Sequence, residues 1–523
     1  MTESARETAP LRLFNSLTRA VELFVPLVAG EARVYSCGPT VYNYAHLGNL
    51  RAYVFTDTLR RTLLWKGYAV THIINITDVG HLTSDADAGD DKMEAAARAQ
   101  AKSIWDIAAH YTDAFKSNVA ALNILTPSEW TVATDYVPQM IDFAKTIADR
   151  HCYEIDSGLY FDVSTVPHYG RLARSTEDEG EGRIDPVAGK RHPQDFAIWR
   201  KSAPGENRQM EWDSPWGKGA PGWHLECSVM SHAKLGHPFD IHTGGIDHRE
   251  IHHPNEIAQN QAFCGCSDAQ PDFTGARWWM HNNFLVDRSG KMSKSKGGFT
   301  TLFSLIDAGV HPLAYRLLCL TAHYRSELEF SGEIVGAALT RLKRMVMAVE
   351  GLKARAANLA AIEETVQLFP KWPDGTPKIS YDLDKEHEIG PLTEGVHLAI
   401  KQRIGSIDKV LEDDLNTPMA LVWLEEIISM KKVPVDDKLR AVAAIDIALG
   451  LNLFSTTRAD LRIRPKDATI TEAEIEAELD RRQAARAAKD FAASDAIRDA
   501  LIAKGVEVMD GDPLRWEWTV RLG

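Results

Sequence analysis

Apolar positions near the start of the chain fall on two alternating spacings. Residues 33–36 read as a short buried strand, and residues 70–76, rich in β-branched side chains, as a second one. Between them Phe55, Leu59 and Leu63 recur on one helical face, predicting a helix over residues 47–66 that Gly67 stops. Strand, helix, strand in this order is how a parallel α/β sheet is built. Later, Phe239-Asp240-Ile241 and residues 283–286 predict strands that resume the sheet. Each runs into a polar, glycine-containing loop of the sort that holds ligands at strand ends.

Between these two sets the texture changes. From about Pro127 to Pro221 the chain is turn-rich, with an acidic patch Glu177-Asp178-Glu179-Gly180-Glu181 and the stretch Asp213-Ser214-Pro215-Trp216-Gly217. This reads as an insertion. After about Gly332 helical periodicity dominates, as in residues 342–352 and 419–430, with an irregular Pro-containing stretch at 369–391. Thr471 and Glu474 make a capping box for a helix through about Ala488, and a second helix runs from Asp490 to a stop at Gly505. The expected division is an α/β domain of Rossmann type in two halves, 1–126 and 222–331, an inserted connective subdomain at 127–221, an all-α helical bundle at 332–465 and a small tail at 466–523.

The chain has 523 residues, too many for a single core, which supports that multi-domain division. Apolar content of 44% and charged content of 25% are those of an ordinary globular protein. No apolar run follows a basic start, and no segment approaches the ~18 apolar residues of a membrane span. A cytoplasmic location without membrane contact is expected. Six cysteines at irregular spacing point to reduced thiols rather than a disulfide framework. A net charge of -14 excludes bulk electrostatic attachment to nucleic acid, so any RNA contact must be regional.

Two short motifs bring in chemistry. His46-Leu47-Gly48-Asn49 stands at the predicted helix entrance, where an imidazole and an amide can donate to phosphate oxygens and Gly48 lets a base approach the backbone. Alone it also reads as a capping site. Lys291-Met292-Ser293-Lys294-Ser295 follows a predicted strand, and its two lysines suit a triphosphate whose pyrophosphate leaves.

The pair resembles the two signature motifs of class I aminoacyl-tRNA synthetases. Further stretches make the chain resemble the cysteinyl-tRNA synthetase family over nearly its whole length: Tyr35-Ser36-Cys37-Gly38-Pro39-Thr40-Val41-Tyr42, Asn75-Ile76-Thr77-Asp78, Pro221-Gly222-Trp223-His224-Leu225-Glu226-Cys227-Ser228, His252-His253-Pro254-Asn255-Glu256-Ile257-Ala258-Gln259 and Asp414-Leu415-Asn416-Thr417-Pro418. Two positions depart from the pattern. Asn49 stands where the general signature has a second histidine, and Pro254 where the family usually has an acidic residue.

The resemblance implies a single Zn²⁺ per chain held by Cys37, Cys227, His252 and Glu256. It also implies ATP with Mg²⁺ as a substrate near Pro39, Thr40, His46, Gly48, Asn49, Gly244, Asp247 and Lys294, with His46, Asn49, Lys291 and Lys294 acting around the phosphates. Cysteine would bind near Cys37, Gly38, Thr77 and Trp223. Trp223 has a second reading as a core aromatic, and Asp247 as a helix cap. Cys152, Cys264, Cys266 and Cys319 read as packing residues.

A zinc site has a physical purpose in such an enzyme. Serine differs from cysteine by oxygen for sulfur, and shape alone separates near-isosteres by only about 10- to 200-fold. A thiolate binds Zn²⁺ at about 2.3 Å, whereas a hydroxyl resists losing its proton. The expected activity is ATP-dependent formation of cysteinyl-adenylate and transfer to tRNA(Cys) by a monomer. Arg481, Arg482, Arg486 and Lys489 with Arg515-Trp516-Glu517-Trp518 suit an unstacked anticodon loop, and the tail's resemblance to the family's anticodon-binding end implies that it binds the anticodon. A solvated helix with a packed tryptophan pair is the other reading of the tail. Two other functions fit parts of the pattern: a cysteine-activating ligase acting on a small amine, of the mycothiol-pathway type, and a catalytically silent tRNA-binding relative.

Overall fold

A computed structural model describes residues 10–79, 92–100, 102–173, 187–203, 208–265, 273–287, 290–291, 301–378, 390–520 and 522. The chain opens with an antiparallel hairpin, β1 (Arg12–Asn15) and β2 (Ala20–Leu23). Then β3 (Glu31–Ser36), α1 (Leu47–Trp65) and β4 (Ala69–Ile76) form the expected unit, with β3 and β4 in parallel register. Helices α2 (Lys92–Gln100) and α3 (Ile104–Ala121) lead to β5 (Glu129–Val132), which pairs in parallel with β4. The sheet therefore continues past Pro127, where the change in texture suggested that the insertion begins. Only four residues long and partly polar, β5 lacks the apolar run that marks β4.

The insertion follows. Helix α4 (Val137–His151) runs into a four-stranded antiparallel sheet of β6 (Cys152–Ile155), β7 (Gly158–Phe161), β8 (Phe196–Lys201) and β9 (Gly219–Pro221). β9 delivers the chain straight into α5 (Trp223–Leu235), with Gly222 at the helix start donating its N–H to Ile198 O at 2.9 Å.

β10 (Phe239–Gly245), α6 (His252–Cys264) and β11 (Ala276–Asn282) complete a five-stranded parallel sheet of order β11-β10-β3-β4-β5. The final strand of the sheet is 276–282, not 283–286 as expected. Leu285–Asp287 forms β12 in a separate small sheet with β13 (Gly290–Lys291) and, after α7 (Leu302–Asp307) and α8 (Pro312–Leu320), β14 (Leu328–Glu329). The polar pair Asn282-Asn283 breaks the chain between the two strands.

One face of the sheet carries Val34, Ile241 and Met280 against Phe55, Leu59 and Leu63 of α1, as their spacing predicts. The other face joins a larger core that runs into the helical region. That region consists of α9 (Gly332–Lys353), α10 (Leu359–Gln367), α11 (Leu398–Glu412), α12 (Thr417–Ser429) and α13 (Val435–Leu449). α14 (Glu472–Ala487), α15 (Phe491–Ala503), β15 (Val506–Val508) and β16 (Trp516–Trp518) form the tail around a core of their own. The Thr471–Glu474 capping box is present, and Gly505 takes a φ of 81°. No helix among the described residues is long and apolar enough to cross a membrane.

Candidate functional site

A cleft of about 300 Å³ opens at the carboxyl ends of β3, β10 and β11. Its walls come from the loop 37–46, the start of α1, Trp223, residues 245–248 and residues 282–285. This is where a parallel sheet presents backbone groups and loops to a ligand.

His46 is the N-cap of α1. Its Nδ1 accepts from Asn49 N at 3.0 Å, and Asn49 Oδ1 accepts from His46 N at 3.3 Å, a reciprocal capping box. Asn49 thus fills the role that a Glu or Gln commonly takes, and its amide NH₂ keeps donor capacity at the helix entrance. With Nδ1 accepting, the imidazole proton is assigned to Nε2. The capping and phosphate-binding readings are therefore compatible. A side chain at Gly38 would place its Cβ 1.5 Å from Asn75 O, so only glycine permits this approach of β3 to β4 beside the cleft.

Behind this wall Cys37, Cys227, His252 and Glu256 converge, with one donor atom from each within 4.8 Å of every other. Cys37 comes from the end of β3, Cys227 from α5, and His252 and Glu256 from the first turns of α6, one helical turn apart on the same face. The two sulfurs lie 4.0 Å apart. Glu256 Oε2 pairs with His242 Nε2 at 2.8 Å, while Oε1 is buried without a hydrogen-bond partner and sits 3.1 Å from His252 Nε2. His224 Nδ1 meets His252 Nδ1 at 2.9 Å and so holds that ring. Two soft sulfurs, an oriented imidazole and an orphaned carboxylate oxygen fit a tetrahedral zinc ion, complete with the outer partners that orient such ligands.

A second set, Cys37, His242, His253 and Glu256, likewise brings one donor atom from each within 4.8 Å of every other. Its two histidines are engaged elsewhere. His242 holds Glu256 and stacks on Trp279 at 4.6 Å, and His253 Nδ1 meets His281 Nε2 at 2.8 Å. A chain then runs from Ser16 Oγ to His281 Nδ1 (2.8 Å) and from His253 Nε2 to Cys37 Sγ (3.3 Å). Burial, then neighbouring imidazoles, push His253 well below the ordinary histidine value. Burial and Arg249 do the same to His281, so both rings are neutral. In one consistent proton assignment His253 donates to Cys37, as it would to a thiolate. The set that includes Cys227 is the better ligand group.

Burial pushes the Cys37 thiol well up, aided by its hydrogen bond with Cys227 and by the charges of Cys227 and Glu256. The bond with Cys37 pulls Cys227 down, but burial and the carboxylates of Glu256 and Glu226 leave it above the ordinary thiol value. Two bare thiolates are therefore costly here. A divalent cation within reach of both sulfurs reverses that balance.

Residues 23–340 match the family described as tRNA synthetases class I (C) catalytic domain. The chain is 64% identical over 513 residues to a cysteine–tRNA ligase of Novosphingobium aromaticivorans, covering 98% of this chain and 97% of that one. This chain belongs to the cysteine–tRNA ligase family of class I tRNA synthetases. It is also 57% identical over 517 residues to the cysteine–tRNA ligase of Zymomonas mobilis, covering 98% of this chain and 99% of that one. A Mycobacterium tuberculosis methionyl-tRNA synthetase structure in complex with methionyl-adenylate shares the fold, with a TM-score of 0.50 at 12% identity over 81% of this chain and 91% of that one.

For a member of this family most expected site residues gather at the cleft. Cys37, Gly38, Pro39, Thr40, His46, Gly48, Asn49, Trp223 and Asp247 all line it. Trp223 stands with its ring 4.3 Å from that of His252, so it is a wall of the cleft rather than a core aromatic. The helix after Asp247 has Ile251 at its N-cap, which removes the capping reading of Asp247. Two residues fall short. Thr77 is buried, giving its hydroxyl proton to Glu226 Oε2 at 2.8 Å, and lies behind the cleft wall. Gly244 also lies outside the lining, its missing Cβ leaving room for the His253 and His248 rings. Lys291 is described only as backbone in β13, and Lys294 lies outside the described residues, as does Cys266. Cys319 is buried, as a packing residue should be, Cys152 is half-buried, and Cys264 is exposed.

Sequence reasoning missed His224, His242, His253 and His281. Only the doublet His252-His253 signals them, because the others are brought in by separate strands and helices.

Proposed function

We propose that this chain activates L-cysteine with ATP and transfers the cysteinyl group to tRNA(Cys). The observation that carries the reading is the convergence of Cys37, Cys227, His252 and Glu256 beside a cleft whose rim is the His46–Asn49 helix entrance. When bound by those four residues, Zn²⁺ supplies a preference for a thiolate over a hydroxyl, and hence for cysteine over serine. Trp223 closes the small pocket next to it.

In the first step a cysteine carboxylate oxygen attacks the α-phosphorus of ATP, and the bond to the β-phosphate bridging oxygen breaks, releasing pyrophosphate. Mg²⁺ enters with ATP as part of that substrate. His46 Nε2–H, the Asn49 amide and the α1 N-terminus donate to phosphate oxygens, and Lys291 and Lys294 neutralise the charge that builds on the leaving group. Gly48 leaves space for the base against Leu285, and Asp247 accepts from a ribose hydroxyl. In the second step the terminal ribose hydroxyl of the tRNA attacks the carbonyl carbon, and AMP leaves.

The helical region 332–465 and the tail 466–523 take the body of the tRNA, and the chain works as a monomer in the cytoplasm, where its thiols stay reduced. The presence of these helices favours tRNA over a small amine as acceptor. Cysteine-dependent exchange of pyrophosphate into ATP, followed by charging of purified tRNA, tests the reading. Exchange without charging overturns the acceptor, and absence of exchange overturns the activity.

A further inference from the structure

Tyr44 stands at the rim of the cleft, two residues before His46, and is 37% exposed. Tyrosine is commonly only part-buried. This one is held from three sides. Its ring meets those of His110 at 5.8 Å and Tyr111 at 5.0 Å, both on α3, and that of Phe303 on α7 at 5.5 Å, all edge to face. Its hydroxyl lies 3.1 Å from His110 Nε2. Such edge contacts orient a ring. The result is a rigid, partly exposed aromatic at the mouth of the site, built by three segments distant in sequence.

Transfer to tRNA needs a second nucleotide here. The base of ATP is placed at Gly48 and Leu285, but the tRNA must bring its terminal ribose hydroxyl to the same carbonyl carbon, so its last base lies at the rim. That base is unpaired, and unpaired bases are bound by stacking on aromatic side chains with little demand on sequence.

We propose that Tyr44, braced by His110, Tyr111 and Phe303, is the stacking platform for the 3′-terminal base of the tRNA during transfer. It rests on the proposed function. Tyr44 then acts on the second step, not on adenylate formation, and any flat ring at this position serves.

The experiment compares transfer from preformed cysteinyl-adenylate with cysteine-dependent pyrophosphate exchange in the full chain and in Tyr44→Ala, Tyr44→Phe and Tyr44→Trp. A lost stacking contact lowers transfer by roughly 5- to 150-fold in Tyr44→Ala. Exchange falls far less, and the Phe and Trp variants restore transfer. A tRNA whose terminal nucleotide keeps its ribose but lacks its base should lose as much with the unaltered chain, and Tyr44→Ala should then cost nothing more. Equal loss in both steps would place Tyr44 in the ATP or cysteine site and overturn the platform, as would independent, multiplying losses from the two changes. Absence of exchange in the unaltered chain overturns the functional reading and the platform together. Normal exchange and charging with an unselective Tyr44→Ala overturn the platform alone.

Discussion

Asp414 Oδ2 accepts a hydrogen bond from Arg325 Nε at 2.7 Å, an ion pair that ties the turn between α11 and α12 to the segment leading into β14. The other carboxylate oxygen accepts from Tyr324 OH at 2.6 Å and from Phe14 N at 2.9 Å. Tyr324 and Arg325 in turn support the cleft wall, since Asn283 N donates to Tyr324 O at 2.8 Å and Asn283 Nδ2 to Arg325 O at 3.0 Å. Arg51 of α1 closes the circuit through Asn283 O at 2.8 Å and Phe284 O. Helical region and cleft wall are therefore one hydrogen-bonded body. Backbone strain shows the same commitment, for Asp414 and Leu415 take φ values of 56° and 60°.

Asp414→Ala should accordingly weaken both fold and wall. It strands a buried Tyr324 hydroxyl and the Phe14 amide, each costing about 1–3 kcal/mol. Urea unfolding should show a loss in that range or above, and KM for ATP should rise because Asn283 to Leu285 line the cleft. Unchanged KM in a destabilised variant would confine Asp414 to stability.

The two overlapping ligand sets make opposite predictions for metal binding. If Cys227 is a ligand and His242 only orients Glu256, Cys227→Ala removes stoichiometric zinc, whereas His242→Ala weakens affinity by about 10- to 100-fold. Metal analysis by mass spectrometry with a competing chelator reads both. Full zinc in Cys227→Ala with none in His242→Ala would transfer the site to the other set. Cys227→Ser should also narrow the preference for cysteine over serine in pyrophosphate exchange.

How much of this was legible depends on whether a signal lies along the chain or across it. The β3–α1–β4 unit, the bundle and the tail helices carry their own periodicity and caps, and the four candidate metal ligands could be proposed only through the family resemblance of the motifs that hold them. β5 was obscured because its four half-polar residues, only one of them buried, make no apolar run. β11 was obscured because the Trp278-Trp279-Met280 run alternates poorly and the strand-like residues after Asn283 belong to another sheet. The histidines around Glu256 have no shared spacing, since β10, β11, α5 and α6 each bring one or two. In the tail, composition misled. Trp516 and Trp518 are buried, not offered for stacking, and Arg482 and Arg486 are both paired with Asp510, Arg481 with Glu478.

Acid should expose the buried charge cluster beneath α1. Asp57 is fully buried, and burial alone would raise its pKa. Arg61 and Arg316, at 2.7 and 2.6 Å, with Leu125 N, hold it instead at about 2, below the ordinary 3.8. A depressed carboxylate stabilises the fold fully above its unfolded pKa and loses that contribution as pH falls through the folded one. On the order of 2 kcal/mol should thus disappear between about pH 4 and pH 2. Asp57→Asn should be less stable at neutral pH by roughly 3–5 kcal/mol, having left two buried guanidinium groups without their counter-charge. Its stability should also fall less steeply over that acid interval. An acid limb identical in both proteins would assign the loss to other carboxylates.

Trp516 separates the tail's stability from the chemistry. Its ring is fully buried in a cluster with Ile475, Leu479, Leu501 and Trp518, its Nε1–H donates to Glu476 Oε1 at 2.6 Å, and the Arg462 guanidinium sits 3.7 Å from its ring centre. Truncation to alanine leaves a cavity in a core too small to refill it, a cost of about 3–5 kcal/mol for a buried Trp. The neighbouring Glu517 pairs with Lys343 of α9 and, at 2.8 Å, with Arg458, so loss of the tail core loosens its hold on the helical region as well. Trp516→Ala should therefore expose residues 466–523 to limited proteolysis and raise the KM for tRNA in charging. Because the tail core is separate from the clusters that frame the cleft, pyrophosphate exchange should keep its rate. Matching losses in exchange and charging would mean instead that the tail supports the catalytic fold itself, through the α7 contact in which Lys466 Nζ meets Asp307 at 3.0 Å.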